Sequence, residues 1–412
     1  MSLRALIAIS VPWFGLSMLA DGLAALLLPY LLLTTVGPDA QATVLGLTTL
    51  IGYALGMAIQ PLAGAFSDAL GARRPFLLGG LAVALLGLGA MSAALSLGAL
   101  GAILGYLIAV SGGNIAQAGQ QALIPDRVPT VLRGRAAGLK GLMDIGGAFL
   151  AFAVLAAVLA AGQPILAAAM LGAGLALSVL PGVATAAASS PRQTRTGRAL
   201  APSALWRGLP DRHILIRLLV SRFCVLLGVY AVGRFLVLFM GQRLGLDPEA
   251  TAAQAGIVLA ALALLTALVS VPAGWAADRL GRWPLMVGGA VGVAVGIGLL
   301  PLATVSAHVM LFGIPLAVGT AAFGSGSWAL ATDLVPPEEA ARYMGIANYA
   351  TAGAAGAAGL LGPIIDAGEA MAVGFGYTLL LLLAATAAVA GGLVALRLPD
   401  ADHEGMTDAP QT

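Results

Sequence analysis

An acid and two arginines stand inside long apolar runs of this chain, where an ionisable side chain is costly and usually faces a cavity or a ligand path. Asp21, in SMLADGLAALLLP, lies about 15 residues into the first run. A carboxylate at that depth can bind and release a proton as its surroundings alternate, or can be held permanently by an arginine. Arg222 and Arg234, with Tyr230 eight residues after the first and four before the second, share one broad helical face. The internal repeat described below sets Arg234 opposite Ala24, within a turn of the depth of Asp21, so an Asp21–Arg234 pair is geometrically reasonable. Arg234 can instead hold an anionic substrate or extend to the outer headgroups, and Arg222 can extend to the inner surface. Asp144 follows Lys140 by four residues, the spacing of a local ion pair.

Uncharged polar groups point the same way. Asn114, Gln117 and Gln121, spaced by three and four, form a stripe with Gln120 beside it. Amides both donate and accept, which suits hydroxyl-rich ligands, although polar residues also join helices without touching a solute. Thr320, Ser327, Trp328 and Asn348 add to this set. Trp13, Tyr30, Tyr230 and Trp328 can stack on a sugar face or serve as packing and interfacial anchors. Gly353, Gly356, Gly359 and Gly362 permit the close, sliding helix contacts that moving bundles need, and static packing uses them equally well. The one cysteine, Cys224, reads as a small buried hydrophobe, and neither His308 nor His403 has an evident role. With no metal-ligand cluster, phosphate-cradling loop or nucleotide motif, the expectation is a protein without cofactor or metal. The missing nucleotide motif argues against an ATP-driven pump, and no enzymatic activity is expected.

The composition decides which elements hold these groups. The chain is 60% hydrophobic and 9% charged, with a mean hydropathy of +0.98, against about 25% charged residues in a soluble domain. Its solvent is lipid. Runs near 20 residues long cross a hydrocarbon layer as helices, and their unbroken Ala, Leu, Val and Gly content excludes the alternating segments of a β-barrel. The first run is too long for a signal-peptide core and reads as a retained helix. Breaking the chain at its polar clusters predicts twelve spans, 6–33, 43–66, 76–96, 100–123, 138–161, 164–186, 214–240, 251–276, 284–304, 307–331, 343–364 and 371–396.

Two loop motifs repeat. GAFSDALGARRPF (64–76) and GWAADRLGRWP (274–284) match Gly64 with Gly274, Asp68 with Asp278 and Gly71 with Gly281. DRVPTVLRGRAAG from Asp126 and DLVPPEEAARYMG from Asp333 share Asp, Val, Pro, Arg and Gly at one spacing. Two six-helix bundles related by an axis normal to the membrane follow, with a site between them near the midplane. The expected boundaries are 1–188 and 213–398 for the bundles, 189–212 for a Pro-, Ser- and Arg-rich linker, and 399–412 for a tail. One side of this layout collects Arg4, Arg73, Arg74, Arg127, Arg133, Arg135, Lys140, the arginines of 192–217, Arg279, Arg282, Arg342 and Arg397, whereas the other carries Arg243. The positive-inside rule then puts both termini in the cytoplasm. Asp68, where the second span meets that side, can attract arginines and the N-terminus of a helix from the facing bundle. The repeat nominates Arg135 and Arg342 as cationic partners of Asp68 and Asp278. The plainer reading is a solvated loop that sets topology.

At these residues the chain resembles the major facilitator superfamily of secondary transporters, along essentially its whole length. Gly64, Asp68, Gly71, Arg73 and Arg74 fit the superfamily's loop signature, with Ala69 where a basic residue is usual. Gly274, Asp278, Arg279, Gly281 and Arg282 fit it again. SDALGARRPF, with WFG at Trp13 and LLPYLLL at Leu27, is similar to bacterial relatives of the sucrose and glycoside-pentoside-hexuronide transporters, with Ala72 in place of an arginine. The resemblance implies an all-α polytopic fold of two pseudo-symmetric six-helix bundles and a cavity lined by the first, fourth, seventh and tenth helices. It also implies a latch at Asp68 that holds the cytoplasmic side shut. It leads to the expectation of a monomeric secondary transporter in a bacterial inner membrane, taking up a small sugar-like solute by proton symport, with no nucleic-acid partner. Proton-coupled efflux of drugs or metabolites is the alternative, and a non-transporting receptor or assembly factor is a third class.

Overall fold

The computed structural model describes residues 1–186, 212–333 and 340–398, without the side chains at 94–95, 130, 212 and 333–346. The expected linker and tail therefore lie outside the described residues. So do the side chains of Asp333 and Arg342, two residues assigned to the loop clusters from the sequence. Twelve helices among the described residues are long and apolar enough to cross a membrane. They are α1 (Leu3–Thr35), α2 (Pro38–Ala69), α3 (Arg74–Ser92), α4 (Ala99–Arg127), α5 (Arg133–Ala160), α6 (Pro164–Ala186), α7 (His213–Leu244), α8 (Pro248–Leu280), α9 (Arg282–Leu302), α10 (Ser306–Thr332), α11 (Ala347–Met371) and α12 (Phe375–Ala395).

Most ends lie a few residues outside the apolar runs, because a helix continues through the headgroup layer until a glycine or proline stops it. Gly71, Gly98, Gly162, Gly245, Gly281 and Gly374 supply positive φ at six such breaks. The largest departure is in α11, which was expected to stop at 364. The chain passes through a short 3-10 turn, Ala358–Leu361, and resumes as a helix over Gly362–Met371 with Pro363 in its first turn, where a proline lacks only a hydrogen bond the helix start does not make.

The repeat is visible in the packing. Gly80 of α3 lies against Ala116 of α4, Gly87 against Ala109, and Gly112 against Ala84. In the second half Gly289 lies against Phe323, Gly296 against Leu316, and Gly319 against Val293. Each α9 position is 209 residues beyond its α3 counterpart and each α10 position 207 beyond its α4 counterpart, so one pair of helix interfaces has been written twice. At all six glycines a Cβ would overlap a neighbouring backbone, which is how the axes come so close.

The bundles meet along two seams. In one, Gly46 of α2 crosses Gly359 of α11, and Ala42 crosses Gly362. In the other, Gly256 of α8 packs on Phe152 and Ala156 of α5. Both lie toward the arginine-poor end. Toward the arginine-rich end Gly64, Gly138, Gly141 and Gly274 have open space beside them, and among the described residues α4 and α5 make no extended contact with α10 or α11. Among the described residues the close crossings between the bundles thus lie toward the arginine-poor end.

Gly112→Ala should lower unfolding stability by about 1–3 kcal/mol through overpacking, whereas Gly79→Ala, beside open space, should leave it unchanged. Thermal unfolding in detergent checks the pair, and equal midpoints would contradict the close α3–α4 approach.

Candidate functional site

Three charged layers lie along the seam. At the arginine-rich end Arg73 is the hub. Its Nη1 lies 2.5 Å from the Asp68 carboxylate and donates to Ser67 Oγ at 2.9 Å, and its Nε donates to Asp126 at 3.0 Å. The tight turn at Gly71, with φ of 60°, folds Arg73 back over the end of α2. Arg73 is 12% exposed and Asp68 69%. Arg135, the partner nominated from the repeat, is exposed in the first turn of α5, and Arg74 is exposed as well. The nearer arginine wins because the turn delivers it without a chain crossing. In the second half Arg282 pairs with Asp278 at 2.7 Å and donates to the Ala277 carbonyl. The two loops thus use equivalent acid–arginine pairs, each inside its own bundle.

The middle layer holds the intramembrane charges. Asp21 is half-buried, a little past the middle of α1 and just before a π-helical turn over Leu23–Leu27, and accepts from Ser17 Oγ at 2.9 Å. Such turns re-aim side chains and recur at functional sites. Lys140 pairs with Asp144 at 2.7 Å and lies 4.0 Å over the Trp13 ring, so the local ion pair is formed.

The two arginines of α7 are enclosed, Arg222 being 3% and Arg234 4% exposed. Neither extends to a headgroup. Arg222 donates to Ser327 Oγ at 2.5 Å and Thr351 Oγ1 at 3.3 Å and lies 4.5 Å over the Trp328 ring. Arg234 donates to the Ala355 carbonyl at 3.4 Å and lies 5.1 Å over Tyr53 of α2. The Asp21–Arg234 pair considered from the sequence is not formed. Tyr230, on the same helix as the arginines, is within electrostatic range of Asp21, Arg222, Arg234 and Tyr53.

Helix α4 divides its amides. Gln120 is fully buried and donates to the Ile9 carbonyl at 2.5 Å, bracing α4 against α1. Asn114 donates to its own helix at Val110 and faces Gly56 of α2. Gln117 is half-buried and Gln121 exposed, as is Asn348 on α11, while Trp328 remains 38% exposed beneath Arg222.

The third layer, at the arginine-poor end, was missed in the sequence. Asp366 of α11 accepts from the backbone N–H groups of Ala42 and Thr43 at 3.2 and 2.6 Å. It thereby caps, from the opposite bundle, the first turn of the α-helical part of α2, Gln41–Ala69, whose own preceding residue, Ala40, offers no side-chain acceptor. Tyr30 of α1 donates to Glu249 of α8 at 3.3 Å, a second bond between bundles. Glu369 accepts from Gln242 and from the N–H groups of Gly374 and Tyr377, fixing the α11–α12 turn. The acids sit beyond Gly362 and Pro363, a pair that reads as the end of a span; an acid one turn before a glycine-rich turn was the available signal.

Residues 218–412 match the sequence family described as the Major Facilitator Superfamily. Comparison with curated protein sequences gives no match. Among solved structures the chain is similar to a D-xylose-proton symporter, at 18% identity with a TM-score of 0.75 over 98% of this chain and 100% of that one. It is similar to a variant of the nucleoside transporter NupG at 15% identity and a TM-score of 0.74, covering 96% and 99% of the two chains. A bacterial homologue of the human lysosomal transporter Spinster, in an inward-facing and occupied conformation, aligns at 16% identity and a TM-score of 0.70 over 96% and 94%. The chain is a multi-pass membrane protein whose fold is that of these transporters, and its C-terminal half carries the match to the superfamily's sequence model.

Replacing a capping acid costs about 1 kcal/mol, or roughly a fivefold change in a two-state population. Asp366→Ala should therefore speed labelling of Leu50→Cys, under the α2–α11 seam, by about that factor when a membrane-impermeant maleimide is applied to the arginine-poor side in a Cys224→Ser background. An unchanged rate would show that the cap does not hold the seam shut.

Proposed function

We propose that this chain is a secondary transporter of a bacterial inner membrane that carries a small polar, sugar-like solute by alternating access with proton symport. Its N-terminal bundle (1–188) and C-terminal bundle (213–398) rock about the seam, joined by the linker at 189–212. The observation that carries the reading is the middle layer. A half-buried carboxylate of one bundle and two enclosed arginines of the other lie within electrostatic range of one tyrosine, Tyr230.

In this scheme Asp21 takes the proton, and Ser17 keeps its carboxylate aimed while the bundles move. Asn114, Gln117, Gln121, Tyr230, Trp328 and Asn348 meet the solute. In this scheme the arginine-rich end faces the cytoplasm by its charge, and the bundle crossings at the arginine-poor end support reading the arrangement as inward-open. The outer latches Asp366 and Tyr30–Glu249 are then engaged, while the Asp68 and Asp278 loops stay within their own bundles. Return to the outward-open state exchanges these arrangements. Gly64, Gly71, Arg73, Arg74, Asp126, Arg135, Asp278 and Arg282, with Asp333 and Arg342, form the inner gate in that state. The similarity to a proton-coupled xylose symporter supports this choice of solute and coupling over efflux.

In proteoliposomes, Asp21→Asn should abolish proton-driven accumulation while leaving solute counterflow, because only the coupled proton site is lost. Accumulation at the wild-type level would refute the assignment. Asp68→Asn should slow uptake severalfold with normal membrane insertion; full uptake activity would remove the inner latch.

A further inference from the structure

Resting on the transport reading, we infer that the solute carries an anionic oxygen group, a carboxylate or phosphate, received by Arg222 and Arg234. Both guanidinium groups are held by neutral partners alone. Ser327, Thr351 and the Trp328 face hold Arg222, and the Ala355 carbonyl and the Tyr53 face hold Arg234. No carboxylate lies within ion-pair distance of either among the described residues. Arg222 Nε and Arg234 Nη1 are enclosed and have no hydrogen-bond partner.

An enclosed cation whose charge is not matched is strongly disfavoured unless something else supplies the opposite charge. The nearby acids are already committed, Asp21 to Ser17 and Asp144 to Lys140. Three cations, Lys140, Arg222 and Arg234, thus face two carboxylates in the interior of the spans, and a net positive charge is left on the α7 side. The two guanidinium groups converge on one face of α11, since Thr351 and Ala355 are one helical turn apart. Tyr230 lies between them along α7. A planar oxygen anion matches the guanidinium fork, and its remaining body can reach the hydroxyl-binding amides of α4.

The inference is tested by ligand-induced shifts of the unfolding midpoint of the full-length protein in detergent, an equilibrium measurement that needs no transport. The probes are matched sets: D-glucose, D-glucuronate and D-glucose 6-phosphate; glycerol, glycerate and glycerol 3-phosphate; benzyl alcohol and benzoate. In at least one set the anionic member should raise the midpoint by several degrees while its neutral analogue does not, and the responding member identifies carboxylate or phosphate. Arg234→Gln should abolish that shift and raise the midpoint of the ligand-free protein, because an unmatched enclosed charge has been removed. Arg234→Lys keeps the charge without the fork and should bind roughly tenfold to hundredfold more weakly.

Equal stabilisation by the neutral members, no response to any anion, or an undiminished anion shift in both variants would overturn the inference. So would a ligand-free midpoint lowered by Arg234→Gln, which would make the arginine structural. Proton uptake driven by a neutral solute would sink this inference and keep the transport reading; anion binding without any proton movement would do the reverse.

Discussion

In a bilayer the lipid tails surround a leucine as favourably as a neighbouring helix does, so helices are held together by contacts that small residues make possible. The glycine pairs of α3–α4 and α9–α10 bring backbones together inside each bundle. The Gly46–Gly359 crossing does the same between bundles. The internal pairs are buried within large, repeated interfaces, whereas the crossing lies at the end of a seam that opens toward the opposite side. Packing of one chemical kind thus builds two stiff bodies and a separable joint, and the difference is one of extent. Every charged group described above takes its meaning from whether it lies within a body or across the joint.

Charge at the two ends is handled differently. At the arginine-rich end the carboxylates of Asp68, Asp126 and Asp278 are met by arginines of their own bundle, which leaves the joint free. At the other end Asp366 meets the positive end of α2 across the joint, and Glu249 meets Tyr30. A carboxylate on a helix N-terminus contributes about as much as a surface ion pair but needs no long side chain to be ordered. It also releases cleanly when the helix withdraws, since the freed amides sit at an end where water is close. Such contacts would suit the joint of the proposed cycle, which opens and closes with little net change in free energy.

The span count and the two-fold repeat were legible in the sequence because they depend on run length and on motif spacing, both of which survive projection onto a line. The local pair Lys140–Asp144 was legible for the same reason. Relations across space were not. Arg135 and Asp68 look like partners by repeat position, yet a single turn at Gly71 brings Arg73 nearer. Asp21 and Arg234 have matching depths, but depth leaves the rotation of each helix undetermined. Arg234 is occupied by α11 and Tyr53 of α2. Asp366 was hidden by Gly362 and Pro363, which end most helices and here only tighten one. Gln120, grouped with a solute-facing stripe, is a brace because its neighbours on α1 and α6 are close enough to enclose it.

The division of labour between bundles follows from these placements. The N-terminal bundle contributes an acid, an ion pair and amides, and the C-terminal bundle contributes two cations held by hydroxyls, a carbonyl and aromatic faces. A mobile acid on the same helix as the arginines would neutralise them permanently, and their affinity would no longer depend on how the bundles are set. Keeping Asp21 on α1 and the arginines on α7 would let the proposed rocking alter the distance between opposite charges, and Tyr230 is within electrostatic range of both. In the proposed cycle, a proton arriving at Asp21 and a singly charged anion arriving at the arginines would add no net charge when they arrive together. Either one alone leaves the interior of the membrane more highly charged. Electrostatics of this form ties the two arrivals to each other without a direct bond between the groups that receive them.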